Sequence, residues 1–207
     1  TRADADAISE RVRAAENVVV IGAGFIGLEF AGVAASLGAR VHVLELGDRP
    51  MARALSHTTS QRFREAHEGW GVTFDFEQGL QRIEGEDGQV RRVITADGRV
   101  LEADLVVYGI GVIPNTSLAE AAGLAIENGI RVDEHLQTDD PNISAVGDAV
   151  NFPCVQLASA PTRLESVQNA ADQARCLAAR LMGTAVPYAI TPWFWSDQGD
   201  LKLQIVG

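Results

Sequence analysis

The apolar residues of this chain change period several times, and each change marks an element. Residues 17–21, Asn17-Val18-Val19-Val20-Ile21, form an apolar β-branched run, the pattern of a strand buried on both faces. A small-residue stretch over 28–38 closes on Gly38 and reads as a helix with a glycine stop. Residues 40–44 give a second apolar strand that ends on Glu45. Upstream, 4–15 reads as a short amphipathic helix. Downstream, 56–70 fits another, with Ser56 as its N-cap. His57 and His67 fall on that helix without acidic or cysteine partners at ligand spacing, so both are expected at the surface and no metal site is expected.

From 72 to 100 the pattern becomes alternation broken by turn dipeptides. Residues 71–76 predict a strand, and Asp87-Gly88 and Asp97-Gly98 predict hairpins, which together make a β-meander. Residues 104–108 return as a buried strand and lead into Gly109-Ile110-Gly111-Val112-Ile113-Pro114-Asn115, a backbone constrained by two glycines and a proline. A short helix over 118–123 follows, then the segments 129–132 and 137–138. Residues 142–149, containing Gly147-Asp148, predict another buried strand, and 165–182 an alanine-rich helix. Pro187 and Pro192 bracket a linker before Trp193-Phe194-Trp195-Ser196-Asp197-Gln198. Buried strands alternating with helices place the chain in the α/β class. The reading is a Rossmann-like domain with an inserted β-meander, plus part of a second Rossmann-like domain.

With 207 residues and 46% hydrophobic content, the chain suffices for one large or two small cores. A net charge of −11, with scattered arginines, argues against nucleic acid or an anionic membrane surface as partner. Cys154 and Cys176 match no metal or redox spacing and are expected as buried free thiols. Neither a signal peptide nor a membrane-length apolar run is visible, which makes the cytoplasm the default expectation. The chain begins at Thr1 and its last residues, 201–207, resemble an unfinished strand, so it reads as a piece of something longer.

The chemistry concentrates between the first two strands. Gly22-Ala23-Gly24-Phe25-Ile26-Gly27 is a G-x-G-x-x-G turn set between a strand and a helix. In such a turn Gly22 permits the tight bend, Gly24 lets backbone approach a pyrophosphate and Gly27 lets the helix pack close to the sheet. The helix N-terminus adds N–H groups and partial positive charge for the phosphates. A carboxylate at Glu45 suits an adenosine ribose 2′-OH and repels a 2′-phosphate, so NAD(H) is favoured over NADP(H), with Arg49 close enough to counter that charge. The alternative is a glycine turn in an ordinary α/β protein.

With these segments in view, the chain resembles the NADH-dependent ferredoxin reductases of the putidaredoxin and rubredoxin reductase type. The resemblance runs through the 22–27 turn with Glu29, the 109–115 turn, Val146-Gly147-Asp148, residues 163–170 and the tryptophan-rich string 192–198. It implies FAD and NAD(H) as cofactors and a 2Fe–2S ferredoxin as electron acceptor. It also implies an NAD(H)-binding domain over 1–130, the second half of an FAD-binding domain over 131–190 and the opening of a C-terminal domain over 191–207. Glu29 and Trp195 would be the catalytic positions. Phe25, Ile26 and Glu29 would lie beside the nicotinamide, while Gly109, Gly111 and Asn115 would close the cleft between the cofactors. Gly147 and Asp148 would meet the FAD ribitol. Glu165, Ser166 and Val167 would precede a helix facing the flavin, and Trp195 would lie beside the flavin ring. Against these roles stand plainer ones: Glu29 as a first-turn acid on the helix dipole, Asp148 as a helix cap, and the tryptophans as packing. An NADH peroxidase or nitrite reductase flavoprotein, and a non-catalytic NAD-binding module, remain as rivals.

Overall fold

The computed structural model describes residues 1–207 and divides into two compact units. The first comprises Thr1–Gly111 with Ser196–Lys202, the second Val112–Trp195 with Leu203–Gly207.

Four parallel strands form the centre of the first unit: β1 (Asn17–Ile21), β2 (Arg40–Leu44), β3 (Val72–Asp75) and β7 (Leu105–Tyr108), in the order β3-β2-β1-β7. Val18, Val19, Val20 and Val43 are at most 1% exposed, which accounts for the unbroken apolar runs of β1 and β2. Each such valine contributes on the order of 1.5–3 kcal/mol by leaving water. The chain passes from β1 outward to β2 and β3, then returns to pair β7 with the other side of β1. That reversal creates a switch point at the carboxyl ends of β1 and β7, where open α/β sheets take ligands. Asp104 ties the two strand entries together by accepting the N–H groups of Asn17 (2.8 Å) and Glu16 (3.1 Å).

Three helices belong to this unit: α1 (Arg2–Ala14), α2 (Phe25–Ser36) and α3 (His57–Gly69). Helix α2 starts three residues before the predicted position, because Gly24 serves as its N-cap and the glycine turn is itself the helix entrance. Ser56 caps α3 as expected, accepting the Thr59 N–H at 3.2 Å. The expected meander is present as β4 (Leu80–Glu86), β5 (Gln89–Thr95) and β6 (Val100–Glu102), antiparallel throughout. Its β4–β5 turn places Asp87 at φ 51° and Gly88 at φ 74°, the pair of left-handed conformations that selects Asp-Gly in a two-residue hairpin. Val93 and Ala103 from this region join Val19 and Leu44 in one core.

One expectation on this unit fails. His67 is not at the surface but 0% exposed. Ser60, Phe63 and His67 share the buried face of α3 at helical spacing, and the His67 ring packs edge-on to Trp70 with centroids 4.6 Å apart. Both rings lie against Gly32 of α2, where a Cβ would stand in ordinary contact at 3.6 Å from each. His57, one residue after the cap, is exposed as expected.

The second unit holds α4 (Ser117–Ala121), a small sheet of β8 (Ile130–Arg131), β9 (Val150–Cys154) and β10 (Ala160–Thr162), and α5 (Val167–Leu181). Its core joins Val132, Leu136, Val150, Phe152, Cys154 and Tyr188. Burial pushes the Tyr188 phenol up to about 12, and its hydroxyl donates to Asn169 Oδ1 at 3.1 Å. The strand expected over 142–149 is absent. That stretch makes one isolated bridge, Ser144 to Gln137, and turns at Gly147 (φ 86°); the strand begins only at Val150, where β8 supplies a parallel partner. An apolar run without a neighbouring ladder has nowhere to place its backbone hydrogen bonds as a strand. Cys154 is a buried free thiol as expected, whereas Cys176 is only partly buried. Finally, β11 (Trp193–Gln198) and β12 (Leu201–Val206) form a two-stranded ribbon, its tip grouped with the first unit and its stem with the second.

Candidate functional site

A cavity of about 840 Å³ opens at the carboxyl ends of β1, β2 and β7, and every residue lining it belongs to the first unit. The glycine turn forms one wall. A Cβ on Gly22 would stand 2.6 Å from Gly109 O, and its φ is +97°; a Cβ on Gly27 would stand 2.1 Å from Gly22 O. Both glycines are therefore demanded by the fold. Gly24 is different: its φ is −79°, and a Cβ there would meet nothing closer than Gly109 O at 3.9 Å. Nothing in the protein's own packing excludes a side chain at Gly24, yet it lines the cavity at the entrance to α2. No side chain caps that helix end. A bare glycine at an uncapped helix N-terminus is what close approach of a diphosphate requires.

Glu45 lines the cavity beside the turn and is already engaged. Its Oε2 accepts the Ala23 N–H at 2.6 Å and its Oε1 the Gly47 N–H at 2.7 Å. The acid thus braces the glycine turn against the loop after β2, and each oxygen keeps a further lone pair for a sugar hydroxyl. Arg49 is absent from the cavity lining. Its guanidinium is held by Asp48 (2.8 Å) and by Ala52 O (3.2 Å). Arg53 lines the cavity instead, with Met51 and Gln78. Gln78 follows β3, so the rule that ligands gather at strand carboxyl ends is the signal that points to it. Phe25 and Gly109 line the cavity too, whereas Ile26, 64% exposed, and Gly111 do not.

Glu29, in the second turn of α2, is half-buried and accepts the Ser196 hydroxyl at 2.6 Å. The helix dipole explains an acid near this end but not a buried hydroxyl aimed at it. In the string 192–198 the tryptophans are the conspicuous residues in sequence, yet Ser196 and Gln198 are the buried ones, which strand alternation in this string signals.

The remaining expected residues lie in the second unit. Asp148 is exposed, and its side chain makes no hydrogen bond within the chain; no helix follows it, so the capping role does not apply. Gly147 N–H donates to the buried Gln173 Oε1 at 2.7 Å, which fixes the turn that presents Asp148. Ser166 caps α5 by accepting the Asn169 N–H at 3.1 Å, Glu165 pairs with Arg163, and Val167 is 68% exposed. Asn115 accepts the Ser117 hydroxyl at 3.2 Å. Trp195 is 37% exposed and stacks on Trp193 with centroids 5.1 Å apart. The second unit thus presents an exposed, unpaired carboxylate at Asp148 and a solvent-facing indole at Trp195.

Comparison with known proteins identifies the family. The family model for pyridine nucleotide-disulphide oxidoreductases matches residues 1–174. Rhodocoxin reductase of Rhodococcus erythropolis is 50% identical over the whole chain, which covers 48% of that relative. Among solved structures, the ferredoxin reductase for the CYP199A2 system of Rhodopseudomonas palustris superposes with a TM-score of 0.96 at 50% identity, over 100% of this chain and 51% of its own. The reductase in a covalent putidaredoxin reductase–putidaredoxin complex gives 0.93 at 42% identity, over 100% and 50%. The chain spans about half the length of the curated relatives it matches. No helix is long and apolar enough to cross a membrane.

Proposed function

Because the chain belongs to the pyridine nucleotide-disulphide oxidoreductase family, we propose that it provides the NAD(H) site and part of the FAD site of a ferredoxin reductase. The reaction is hydride transfer from NADH to FAD followed by single-electron delivery to a 2Fe–2S ferredoxin. In this reading residues 1–130 form the NAD(H)-binding domain, 131–190 the second half of the FAD-binding domain and 191–207 the opening of a C-terminal domain, in a cytoplasmic enzyme. The observation that carries it is Gly24, bare at an uncapped helix entrance although the fold leaves room for a side chain.

The chain's residues bind and orient; the two-electron to one-electron conversion is the chemistry the flavin supplies when bound. The α2 entrance takes the diphosphate through backbone N–H groups. Glu45 offers its remaining lone pairs to the adenosine ribose and disfavours a 2′-phosphate. Phe25 and Ile26, at the start of α2, would flank the nicotinamide end of a bound NADH, and Glu29 would accept one of its donors. Asp148 and the N-terminal end of α5 would hold the ribityl chain and ring of a bound flavin, and Trp195 would offer an aromatic face to that ring. Direct hydride transfer asks no side chain to act as general acid or base, consistent with the absence of a nucleophile–base pair in the cavity lining. The ferredoxin acceptor rests on the relatives: one solved neighbour is a reductase joined to its ferredoxin.

Calorimetric titration with NADH and NADPH, run beside an absorbance scan, tests this reading. Binding of NADH at least tenfold tighter than NADPH, with bleaching of any flavin band by NADH, is the expected result. Absence of heat with both nucleotides would remove the proposal.

A further inference from the structure

The tip of the β11–β12 ribbon carries a buried polar chain that the cavity alone does not explain. Ser196 and Gln198 are 1% and 0% exposed, and His67 on α3 is 0% exposed. Ser196 Oγ donates to Glu29 Oε1 at 2.6 Å, Gln198 Nε2 donates to Ser196 Oγ at 3.0 Å, and His67 Nε2 lies 2.9 Å from Gln198 Oε1. A carboxylate only accepts, so the direction of every bond follows from Glu29 outward. The Ser196 hydroxyl spends its proton on Glu29 and accepts from the Gln198 amide. The Gln198 oxygen then accepts from His67, which must be protonated on Nε2. His67 Nδ1 is buried without a partner, as the neutral form of that tautomer allows and the imidazolium does not. Burial pushes the His67 imidazole down, in keeping with a neutral ring. Gln198 Nε2 also meets Met51 Sδ at 3.6 Å, and Met51 both lines the cavity and donates its N–H to Ala23 O at 2.9 Å.

Three buried polar side chains are a costly way to fill a core when apolar groups would pack without needing partners. Their common end is a half-buried acid on the helix that opens onto the cavity. We propose that Ser196, Gln198 and His67 are positioning residues for Glu29: they hold Oε1 inside the protein and so present Oε2 to a hydrogen-bond donor on the nicotinamide half of NADH. Glu29 Oε2 makes no hydrogen bond within the chain. The proposal rests on the NAD(H) reading above and adds that the nicotinamide end, not the adenosine end, is served by the ribbon tip.

The test compares NADH with ADP-ribose, which keeps the diphosphate and adenosine but lacks the nicotinamide. Both are titrated calorimetrically into the full chain as wild type, Ser196→Ala and Gln198→Met. The expected result is a five- to tenfold loss of NADH affinity in each variant with ADP-ribose affinity unchanged. Equal loss of both ligands, or loss of neither, overturns the positioning role while leaving the dinucleotide site intact. A wild type that binds neither ligand overturns the NAD(H) reading itself. Should a variant not fold, ¹⁵N spectra of the wild-type histidines decide. His67 is expected as the neutral Nε2–H tautomer, with its resonances shifted by NADH but not by ADP-ribose; the opposite tautomer, or identical responses to both ligands, overturns the proposal.

Discussion

Three glycines of one turn occupy three physical situations, and substitution separates them. Gly27→Ala drives a methyl to 2.1 Å from a backbone oxygen, so backbone must move. A loss of about 3 kcal/mol or more in denaturant unfolding is expected. Gly24→Ala meets no such wall, so its stability should fall by only about 1 kcal/mol, the scale of an N-cap change. Its NADH affinity should nevertheless fall at least tenfold by calorimetry, because the methyl would occupy the ligand's place. Retained affinity in Gly24→Ala would contradict the diphosphate assignment. Glu45 makes a second residue-scale case. Its two backbone bonds mean that Glu45→Gln loses an acceptor for one N–H as well as a charge. NADPH binding is expected to gain relative to NADH, measured in the same titrations, alongside a stability loss of about 1–3 kcal/mol.

Elements with a strong local cause were readable in the sequence. The β1 run, the Ser56 cap and the Asp-Gly turn of the meander each carry their own chemistry, and each was found where expected. Elements decided by distant partners were not. Residues 142–149 are as apolar as a strand but lack a ladder, and His67 is polar yet buried because Gln198, 131 positions along the chain, supplies its partner. The candidate site divides in the same way: the glycine turn was legible, whereas Arg53, Ser196 and Gln198 reach their places through tertiary structure. Burying His67 has a measurable consequence. Its pKa is lowered in the folded protein, so below about pH 6.5 the unfolded chain binds a proton that the native state refuses. Stability should therefore fall as pH drops from about 6.5 towards 5, read by urea unfolding, and His67→Gln should flatten that limb. Asp75 acts lower on the scale. Burial raises its carboxyl, but bonds from Arg99 and His42 outweigh this and hold it below the ordinary range, so its contribution is lost only in stronger acid.

At the scale of the whole molecule, a separate core in each unit and the confinement of the large cavity to the first shape the response to ligand. Calorimetric unfolding is expected to depart from a single two-state transition, and ADP-ribose should raise the transition of the first unit only. At a hundredfold excess over its dissociation constant the gain is about 2.7 kcal/mol. Each unit also exposes large apolar side chains: Tyr108 (71%) and Ile110 (69%) in the first, Ile113 (93%) and Met182 (85%) in the second. Tyr108, Ile110 and Ile113 fall within six positions of one another along the chain, and the relatives are about twice as long. The two-stranded ribbon bears on how the protein can be handled. No third strand pairs with it, and along β12 Leu201, Leu203 and Ile205 alternate with more exposed neighbours. An unpaired, half-apolar edge is a template for pairing with another strand, so the isolated chain should show concentration-dependent association by light scattering, and a proline placed along β12 should suppress it.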